Sequence, residues 1–553
     1  MTLNCFSGCC STSFKRIQQF FIDNIGELKM LLWFTGPLTL ISVLDYAPYV
    51  ITAIFCGHLG KVELDSITLA NAIAAVTGQS IGLGLASACD TLISQIYGGK
   101  NLKLIGVVIQ RGILILFLSC FPCWAIYINT QNILLLCGQE PRVARLAEWC
   151  VIAHIPALPA IIFYQLQLRF LQNQGIIWPQ IFVSLFGNIV NIILNYIFLF
   201  VMKTGVIGTA VAMTITYVAD MILLYLYIWL RKIHVESWSG WSTECLKDWG
   251  SFLSLGIPNM VTICMEWWSF EIAIFLTGLI NLVELGAQSV VYQLMVVFLK
   301  IANAIGMATS IRVGNFLGAG ETDQAKMSAK LGFLITGVSI CMNASLLLGL
   351  RRPFACLFTT DIAIQSLVIQ AIPIGVLHHV ATAASYVFCG VLRGIGKPEI
   401  GALATVLGYC LITFPIGAPL MFVAKLGMKG FWIGVSVCCV CINIFLFIHF
   451  WRINWQDMTD KAQKRAGLKP MNDSTFILSA SIDTADTVDG NNYASINSTN
   501  SETEPHERQS FALLKVKDEQ SLKKIIIHRV LTTLAMISIF LIGLLIRLTV
   551  NPH

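Results

Sequence analysis

Long apolar runs separated by short polar loops cover most of this chain, from residue 28 to residue 452. Each run is long enough for a transmembrane helix, which needs about 20 apolar residues. Six runs fall in residues 28–232 and six in residues 233–452. The pattern predicts an all-α polytopic membrane protein whose twelve core helices form two six-helix bundles. We place these helices near residues 30–52, 67–91, 108–129, 149–171, 177–201, 206–230, 252–279, 285–309, 328–350, 364–392, 401–424 and 429–451.

The two halves also repeat one another in sequence. Five short matches occur in the same order along both halves, at offsets between 217 and 222 residues. Halves with equal helix numbers that run in the same direction imply a parallel repeat, which is typical of alternating-access transporters. The matches pair Gly36-Pro37 with Gly256-Ile257-Pro258, Gly57 and Val62-Glu63-Leu64 with Gly278 and Val283-Glu284-Leu285, Ile155-Pro156 with Ile372-Pro373, Pro179-Gln180-Ile181 with Pro398-Glu399-Ile400, and Lys203, Gly205 and Gly208 with Lys425, Gly427 and Gly430.

A polar segment and one more apolar run follow the second half. Residues 453–524 are rich in Asp, Asn, Ser, Thr, Glu and Lys without apolar periodicity, which predicts a disordered cytoplasmic linker. In residues 525–553, the run from Val530 to Ile546 is bracketed by Arg529 and Arg547, whose long side chains can extend its reach. We predict a thirteenth transmembrane helix here. An interfacial helix that lies flat is the alternative.

The distribution of Lys and Arg predicts the orientation. If residues 1–27 form a cytoplasmic N-terminal segment, the cytoplasmic loops carry more Lys and Arg than the outside loops, as the positive-inside rule requires. Residues 1–26 contain no separate apolar region with a cleavage site, so we expect no cleavable signal peptide. An odd number of helices then puts the C-terminus outside, and we expect a plasma-membrane protein.

Composition excludes several function classes. The chain is 56% hydrophobic and only 12% charged, and its net charge of +6 gives no reason to expect a nucleic-acid partner. Its eighteen cysteines show no paired zinc-site spacing, and no Walker motif follows a strand. We therefore expect no metal, no cofactor and no enzymatic activity. Cys9 and Cys10, beside Lys15 and Arg16, fit either S-acylation or ordinary free thiols.

Two acids in the middle of the seventh helix are the best functional candidates. A charged side chain inside a membrane helix costs free energy, so it is a functional hypothesis by default. Glu266 and Glu271 are five residues apart and point about 140° away from one another, so they do not form a side-by-side pair. A buried carboxyl group can exchange protons near neutral pH. A structural hydrogen bond to a neighbouring helix is the alternative interpretation for each.

Other residues are candidates for the lining of a cation-binding cleft. Asp45 occupies the position in the first half that Glu266 occupies in the second, so the two acids are expected to face each other. The aromatic side chains near the acids suit a cation, or else simply fill the bundle. These are Trp267, Trp268, Phe270 and Tyr292.

The remaining polar residues within helices receive a structural interpretation. Asp90 and Asp220 lie near helix ends or partner helices. Lys300 is interpreted as a neutraliser of a buried acid, and His378 and His379 as packing residues.

Four motifs resemble the multidrug and toxin extrusion (MATE) family. They are Gly57-His58-Leu59-Gly60, the segment 283–289, the segments 311–315 and 317–320, and Gly390-Val391-Leu392-Arg393-Gly394. The Glu-Trp-Trp run at 266–268 and the extra C-terminal helix resemble the vertebrate branch. The resemblance covers residues 28–452. It implies a monomeric, proton-coupled antiporter in a lipid membrane that exports small organic cations from a cleft between two bundles.

The resemblance also implies residue roles. Glu266 and Glu271 match acids of the seventh helix in the vertebrate branch. Gln293 stands where the family pattern has Glu, Thr382 where it has an acid in the tenth helix, and Thr52 where many bacterial members have Asp. Gln293 would line the cation cleft without carrying a proton.

Three other functions remain open at this point. A sodium-coupled or facilitative carrier of the same fold is the first, and a lipid flippase of a related fold is the second. A membrane protein with an interaction role is the third. The aromatic and acidic residues favour a small cation over a large anionic lipid.

Overall fold

A computed structural model describes residues 3–57, 59–468 and 504–550, with side chains for 24–57, 59–60, 62–468 and 523–549. All regular elements in these ranges are helices. Twelve are long and apolar enough to cross a membrane, and one bent pair supplies a further span. We number them as spans 1 to 13. They are Asn24–Gly57, Val62–Gly98, Leu102–Tyr127, Pro141–Ala153 with Ala157–Gln172, Trp178–Val201, Val206–Leu230, Trp249–Gly278, Leu282–Ala319, Thr322–Gly349, Ile362–Ile395, Pro398–Phe422, Met428–Trp451 and Lys523–Thr549.

The expected twelve core helices and the C-terminal helix are confirmed, and several spans are interrupted. Span 1 breaks at Asp45 and Tyr46 into helices Leu3–Leu44 and Ala47–Gly57. Pro48 lacks a backbone N–H and is best tolerated in the first turn of a helix, which favours a restart there. Span 2 consists of Lys61–Ala74, the π-helical turn Ala75–Gln79, Ser80–Ala86 and Ala88–Gly98. Span 5 consists of Trp178–Tyr196 and the π-helical turn Ile197–Val201. Span 11 consists of Pro398–Gly408, the π-helical turn Tyr409–Thr413 and Phe414–Phe422. Shorter helices outside the spans are Thr130–Leu136, Thr243–Leu246, Arg351–Phe358 and Trp455–Arg465.

Each bundle has its own apolar core, and spans 1 and 7 cross between the bundles. Phe252 and Leu255 of span 7 pack into the core of the first bundle. Leu31 and Leu38 of span 1 pack against Ala304 and other residues of span 8. The first half of span 1 therefore packs on the second bundle and the first half of span 7 packs on the first bundle, as a pseudo-twofold repeat requires.

The bundles meet tightly at the end of the molecule where span 2 finishes. The hydroxyl of Thr91 donates to the carbonyl of Arg393 at 2.6 Å, and Gln95 Nε2 donates to the carbonyl of Gly394 at 2.9 Å. Gly318 permits this approach, because a Cβ there would lie 1.9 Å from the carbonyl oxygen of Gln95. The cleft is therefore closed at this end.

Ion pairs reinforce the closed end. Arg312 of span 8 donates two hydrogen bonds to the carboxylate of Glu27 of span 1, a bidentate contact at 3.0 Å and 2.5 Å. Ser328 of span 9 also donates to Glu27. Asp90 of span 2 lies 3.4 Å from Arg169 of the first bundle and 3.9 Å from Arg393 of the second. Charged residues of both bundles thus converge where the cleft is closed.

A helix lies within the segment for which the sequence predicts a disordered linker. Trp455–Arg465 is helical, and its Met458, Thr459 and Ala462 are buried. Arg465 donates to the carbonyl of Gly396 at 3.2 Å, and Asn101 donates to the carbonyl of Ala466 at 3.0 Å. The expected start of the linker at residue 453 is therefore wrong, because this stretch packs against both bundles. Residues 469–503 lie outside the described part of the chain, as do the side chains of Cys9 and Cys10.

Span 13 lies alongside span 3 rather than flat on the bundle. Its helix, Glu504–Val550, has a close contact at Gly543, whose carbonyl accepts a hydrogen bond from Asn129 at 2.9 Å. Arg529 donates to the carbonyl of Leu246 at 3.0 Å, beside the start of span 7. Arg547 donates to the carbonyl of Ile128 at 2.8 Å, just past the end of span 3. The two arginines therefore bind the protein at opposite ends of span 3.

Candidate transport site between the bundles

Glu266 lies in the middle of span 7, where the cleft meets the closed end. Its carboxylate accepts a hydrogen bond from the hydroxyl of Tyr386, on span 10, at 2.5 Å. Two residues later on span 7, the indole of Trp268 donates to the carbonyl of Val76 in span 2, at 2.9 Å. Span 7 is thus fixed against both bundles around Glu266.

Glu271 lies about one and a half turns further along span 7 and has a different environment. It is partly buried, and the hydroxyl groups of Tyr46 and Tyr292 lie within electrostatic range of its carboxylate. The ring of Tyr292 packs on that of Phe270, with 5.0 Å between the ring centroids. Glu271 and Glu266 therefore point to different surroundings, as the helix geometry predicts.

Asp45 lies at the break in span 1, within a polar network of the first bundle. Its Oδ1 accepts a hydrogen bond from Ser184 at 2.9 Å, and Ser184 also contacts the hydroxyl of Tyr164 at 2.9 Å. Asn188 Nδ2 donates to the carbonyl of Leu44 at 3.0 Å, which satisfies an acceptor that the helix break leaves free. The break thus holds a carboxylate at membrane depth.

Lys300 of span 8 lies within electrostatic range of one acid from each bundle. The ammonium group lies 5.5 Å from the centroid of the Tyr46 ring, next to the break in span 1. The acidic groups that act electrostatically on it are Asp45 and Glu266. Asp45 and Glu266, which the repeat places at equivalent positions, therefore act on one and the same ammonium group.

The remaining predicted cleft residues have distinct positions. Gln293 is exposed and lies seven residues before Lys300, so both are on one face of span 8. Trp267 is half-buried, whereas Trp268 is 42% exposed and is held by its bond to span 2. The structure brings Asp45, Glu266 and Lys300 together, while Gln293 lies about two turns away.

The histidines of span 10 pack within the second bundle. The ring of His378 contacts the rings of Phe270 and Trp432, at 5.8 and 5.3 Å between centroids, and lies 3.2 Å from the hydroxyl of Thr382. His379 contacts Asn343 at 3.3 Å. Both are fully surrounded, in accord with the packing role that the sequence suggests.

Asp220 belongs to the first bundle and not to a helix end. Its carboxylate packs directly against Gly187 of span 5, where a Cβ would lie 2.1 Å from Oδ1. It also lies within electrostatic range of Asp45. Asp220 therefore extends the polar network around the break in span 1.

The main site residue that sequence reasoning misses is Tyr386. It lies four residues after Thr382, one helical turn from the position where an acid is expected. A tyrosine at that spacing is the only signal of its role that the sequence contains.

The MatE family model matches the chain twice, over residues 37–197 and 258–418. The chain belongs to the MatE family. The two matches begin at equivalent positions of the two halves, in agreement with the internal repeat. As a MATE protein, the chain is a multi-pass membrane transporter and not an enzyme.

Relatives and a solved structure agree with this assignment. Multidrug and toxin extrusion protein 1 of Rattus norvegicus is 48% identical over 443 residues, which cover 80% of this chain and 78% of the relative. The protein of the same name from Homo sapiens is 46% identical over 446 residues, 81% of this chain and 78% of the relative. The crystal structure of the eukaryotic MATE transporter AtDTX14 has a TM-score of 0.77 and 32% identity, and covers 80% of this chain and 99% of that chain.

Proposed function

We propose that this MATE protein is a proton-coupled antiporter that exports small organic cations by alternating access. Protons entering the cleft bind an acid of span 7 and release a cation, which leaves through the open end. The chain contains both halves of the cleft, so a monomer suffices for transport.

The observation that carries the proposal is the position of Glu266. Its carboxylate lies at membrane depth, is partly buried, and is bonded to a neutral hydroxyl rather than to a cation within ion-pair distance. Such a group can hold either a proton or an ion pair with a substrate, and the two are mutually exclusive. That exclusivity is what antiport requires.

The surroundings of the acids favour an organic cation as the substrate. Tyr46 and Tyr292 lie within electrostatic range of Glu271, and aromatic ring faces attract cations that have lost their water. A sodium ion prefers several oxygen ligands. A lipid flippase would need a site for an anionic headgroup, which two carboxylates repel. The names of the relatives, multidrug and toxin extrusion proteins, are consistent with this choice.

The test is transport of tetraethylammonium by the purified protein in liposomes. We expect an imposed pH gradient to drive uptake against the cation gradient, and a sodium gradient to have no effect. Glu266→Gln abolishes the proton-driven component, while the matched control Glu236→Gln, at an exposed loop acid, retains it. Uptake that ignores the pH gradient but follows sodium would replace the proposal with a sodium-coupled carrier. Uptake that ignores both would indicate a facilitative one.

We also propose that the protein sits in the plasma membrane with its N-terminus in the cytoplasm and its C-terminus outside. Support comes from the Lys and Arg distribution and from span 13, whose two arginines lie at opposite ends of span 3. An epitope tag at each terminus tests this. Only the C-terminal tag should be accessible to antibody on intact cells.

A further inference from the structure

Lys300 is an unusual residue to find in a cleft that takes cations. It lies at the midpoint of span 8, Leu282–Ala319, roughly 27 Å of helix from either end. A lysine side chain reaches only a few ångströms, so the ammonium group cannot extend to the membrane surface. Lys300 must therefore find its partners inside the protein.

The partners of Lys300 come from both bundles, and neither holds it firmly. Asp45 of span 1 and Glu266 of span 7 are the acids that act on it electrostatically. Among the described residues, no carboxylate oxygen lies within the 4.0 Å of an ion pair with Lys300. Its nearest recorded contact is the face of Tyr46, at 5.5 Å. The ammonium group thus lies within electrostatic range of two acids whose hydrogen bonds go elsewhere, to Ser184 and Tyr386.

This arrangement mimics a bound substrate. A cation between two carboxylates and against a tyrosine ring is what the cleft would offer an organic ammonium ion. The difference is that the cation of Lys300 is covalently attached to span 8. A transported cation that approaches the same acids meets this positive charge first.

We propose that Lys300 is a tethered competitor of the transported cation: it occupies the space between Asp45 and Glu266 in the empty transporter and sets the affinity and charge selectivity of the cleft. This inference rests on the proposed function for the identity of the substrate. It assigns Lys300 a positioning and selectivity role that neither the acids nor the aromatic residues supply. It also explains why a lysine lies at membrane depth in a cleft that takes cations.

The proposal predicts an effect that scales with substrate charge. Removing one positive charge about 10 Å away, at an effective dielectric constant of about 20, tightens the binding of a monovalent cation on the order of tenfold. For a divalent cation whose two charges both lie in the cleft, the electrostatic free energy doubles, so the gain in affinity approaches roughly a hundredfold. A change in shape or packing would not follow substrate charge in this way.

The experiment measures equilibrium binding to purified full-length protein by isothermal titration calorimetry. Tetraethylammonium is the monovalent probe and hexamethonium the divalent one. The variants are Lys300→Met, Lys300→Gln, and Lys300→Arg, which keeps the charge. Lys330→Met, at an exposed position of span 9, is the matched control. Size-exclusion profiles and melting temperatures verify that each variant is folded. If Lys300→Met does not fold, Lys300→Gln replaces it in the comparison.

We expect the Met and Gln variants to bind tetraethylammonium about tenfold more tightly and hexamethonium more tightly still, while Lys300→Arg and Lys330→Met match the wild type. A lysine that only stabilises the fold would lower the melting temperature without a charge-graded change in Kd, and that result overturns the proposal. So does an equal change for both probes, or an absence of cation binding in wild type and variants alike. Cation binding without proton-driven flux would instead contradict the proposed function and leave the competition by Lys300 supported.

Discussion

The hydroxyl of Tyr386 on span 10 and the carboxylate of Glu266 on span 7 are joined by a 2.5 Å hydrogen bond. Tyr386 lies one turn after Thr382, the position where the resemblance to the MATE family leads one to expect an acid. Span 10 thus contributes a neutral hydrogen-bond donor to Glu266 instead of a second carboxylate. Glu266 is consequently the focal proton-binding group of the closed end of the cleft in our proposal.

We expect Tyr386→Phe to reduce proton-driven exchange and Glu266→Gln to abolish it. The phenylalanine variant loses one hydrogen bond to a charged group, which corresponds to a decrease in initial rate on the order of tenfold. The glutamine variant loses the proton site itself. Initial rates of tetraethylammonium uptake under a fixed pH gradient, at equal protein density, measure both. Normal uptake by Glu266→Gln would remove Glu266 from the mechanism.

Restoring an acid by Gln293→Glu should make the pH dependence of transport steeper. Gln293 is exposed on the same face of span 8 as Lys300, so a carboxylate there adds a titratable group to the cleft and draws cations toward it. The observable is the initial rate against external pH for wild type and variant. Gln293→Asn is the neutral control. An identical pH profile in all three proteins would place position 293 outside the coupling site.

The closed end should depend on the charge complementarity between Glu27 and Arg312. Their two-pronged contact links span 1 to span 8 and is largely buried, so loss of one partner is expected to cost about 3 kcal/mol of closed-state stability. We expect Glu27→Arg and Arg312→Glu each to lower the transport rate and the melting temperature. The double exchange should recover most of both. No recovery in the double variant would mean that the two side chains are not coupled.

Two truncations should distinguish the contribution of the helix Trp455–Arg465 to transport from that of the rest of the tail. A chain that ends after Leu468 keeps the contacts of Arg465 and Ala466 with both bundles and should transport at nearly the wild-type rate. A chain that ends after Arg452 loses them and should transport less well, with a lower melting temperature. Arg465→Ala tests the same contacts in the full-length protein. Equal transport by both truncations would show that this helix is dispensable.

Sequence alone predicts the membrane architecture well because that architecture depends on local properties. Twelve apolar runs of sufficient length and a repeat marked by Pro37 and Pro258 are enough to predict two bundles, and two MatE matches agree with the repeat. Glu266 could be selected because an acid in mid-span is rare. Such inferences require no knowledge of how one helix is rotated against another.

The contacts between helices could not be predicted in the same way. Whether Tyr386 or Thr382 reaches Glu266 depends on the rotation of span 10 about its own axis. The contact of Lys300 with the ring of Tyr46 depends on the break at Asp45, for which Pro48 is the only signal in the sequence. The helix Trp455–Arg465 was missed because it lacks a long apolar run, although Asn454 caps it and Met458 and Ala462 share one buried face.

Span 13 follows the second bundle in the chain but lies on span 3 of the first. The polypeptide therefore forms the first bundle, then the second, and returns to the first through span 13, which is held there by side-chain contacts. The loop between spans 6 and 7 is thus not the sole physical connection between the halves. If the loop between spans 6 and 7 is cut, the contacts of span 13 with span 3 still join the second half to the first.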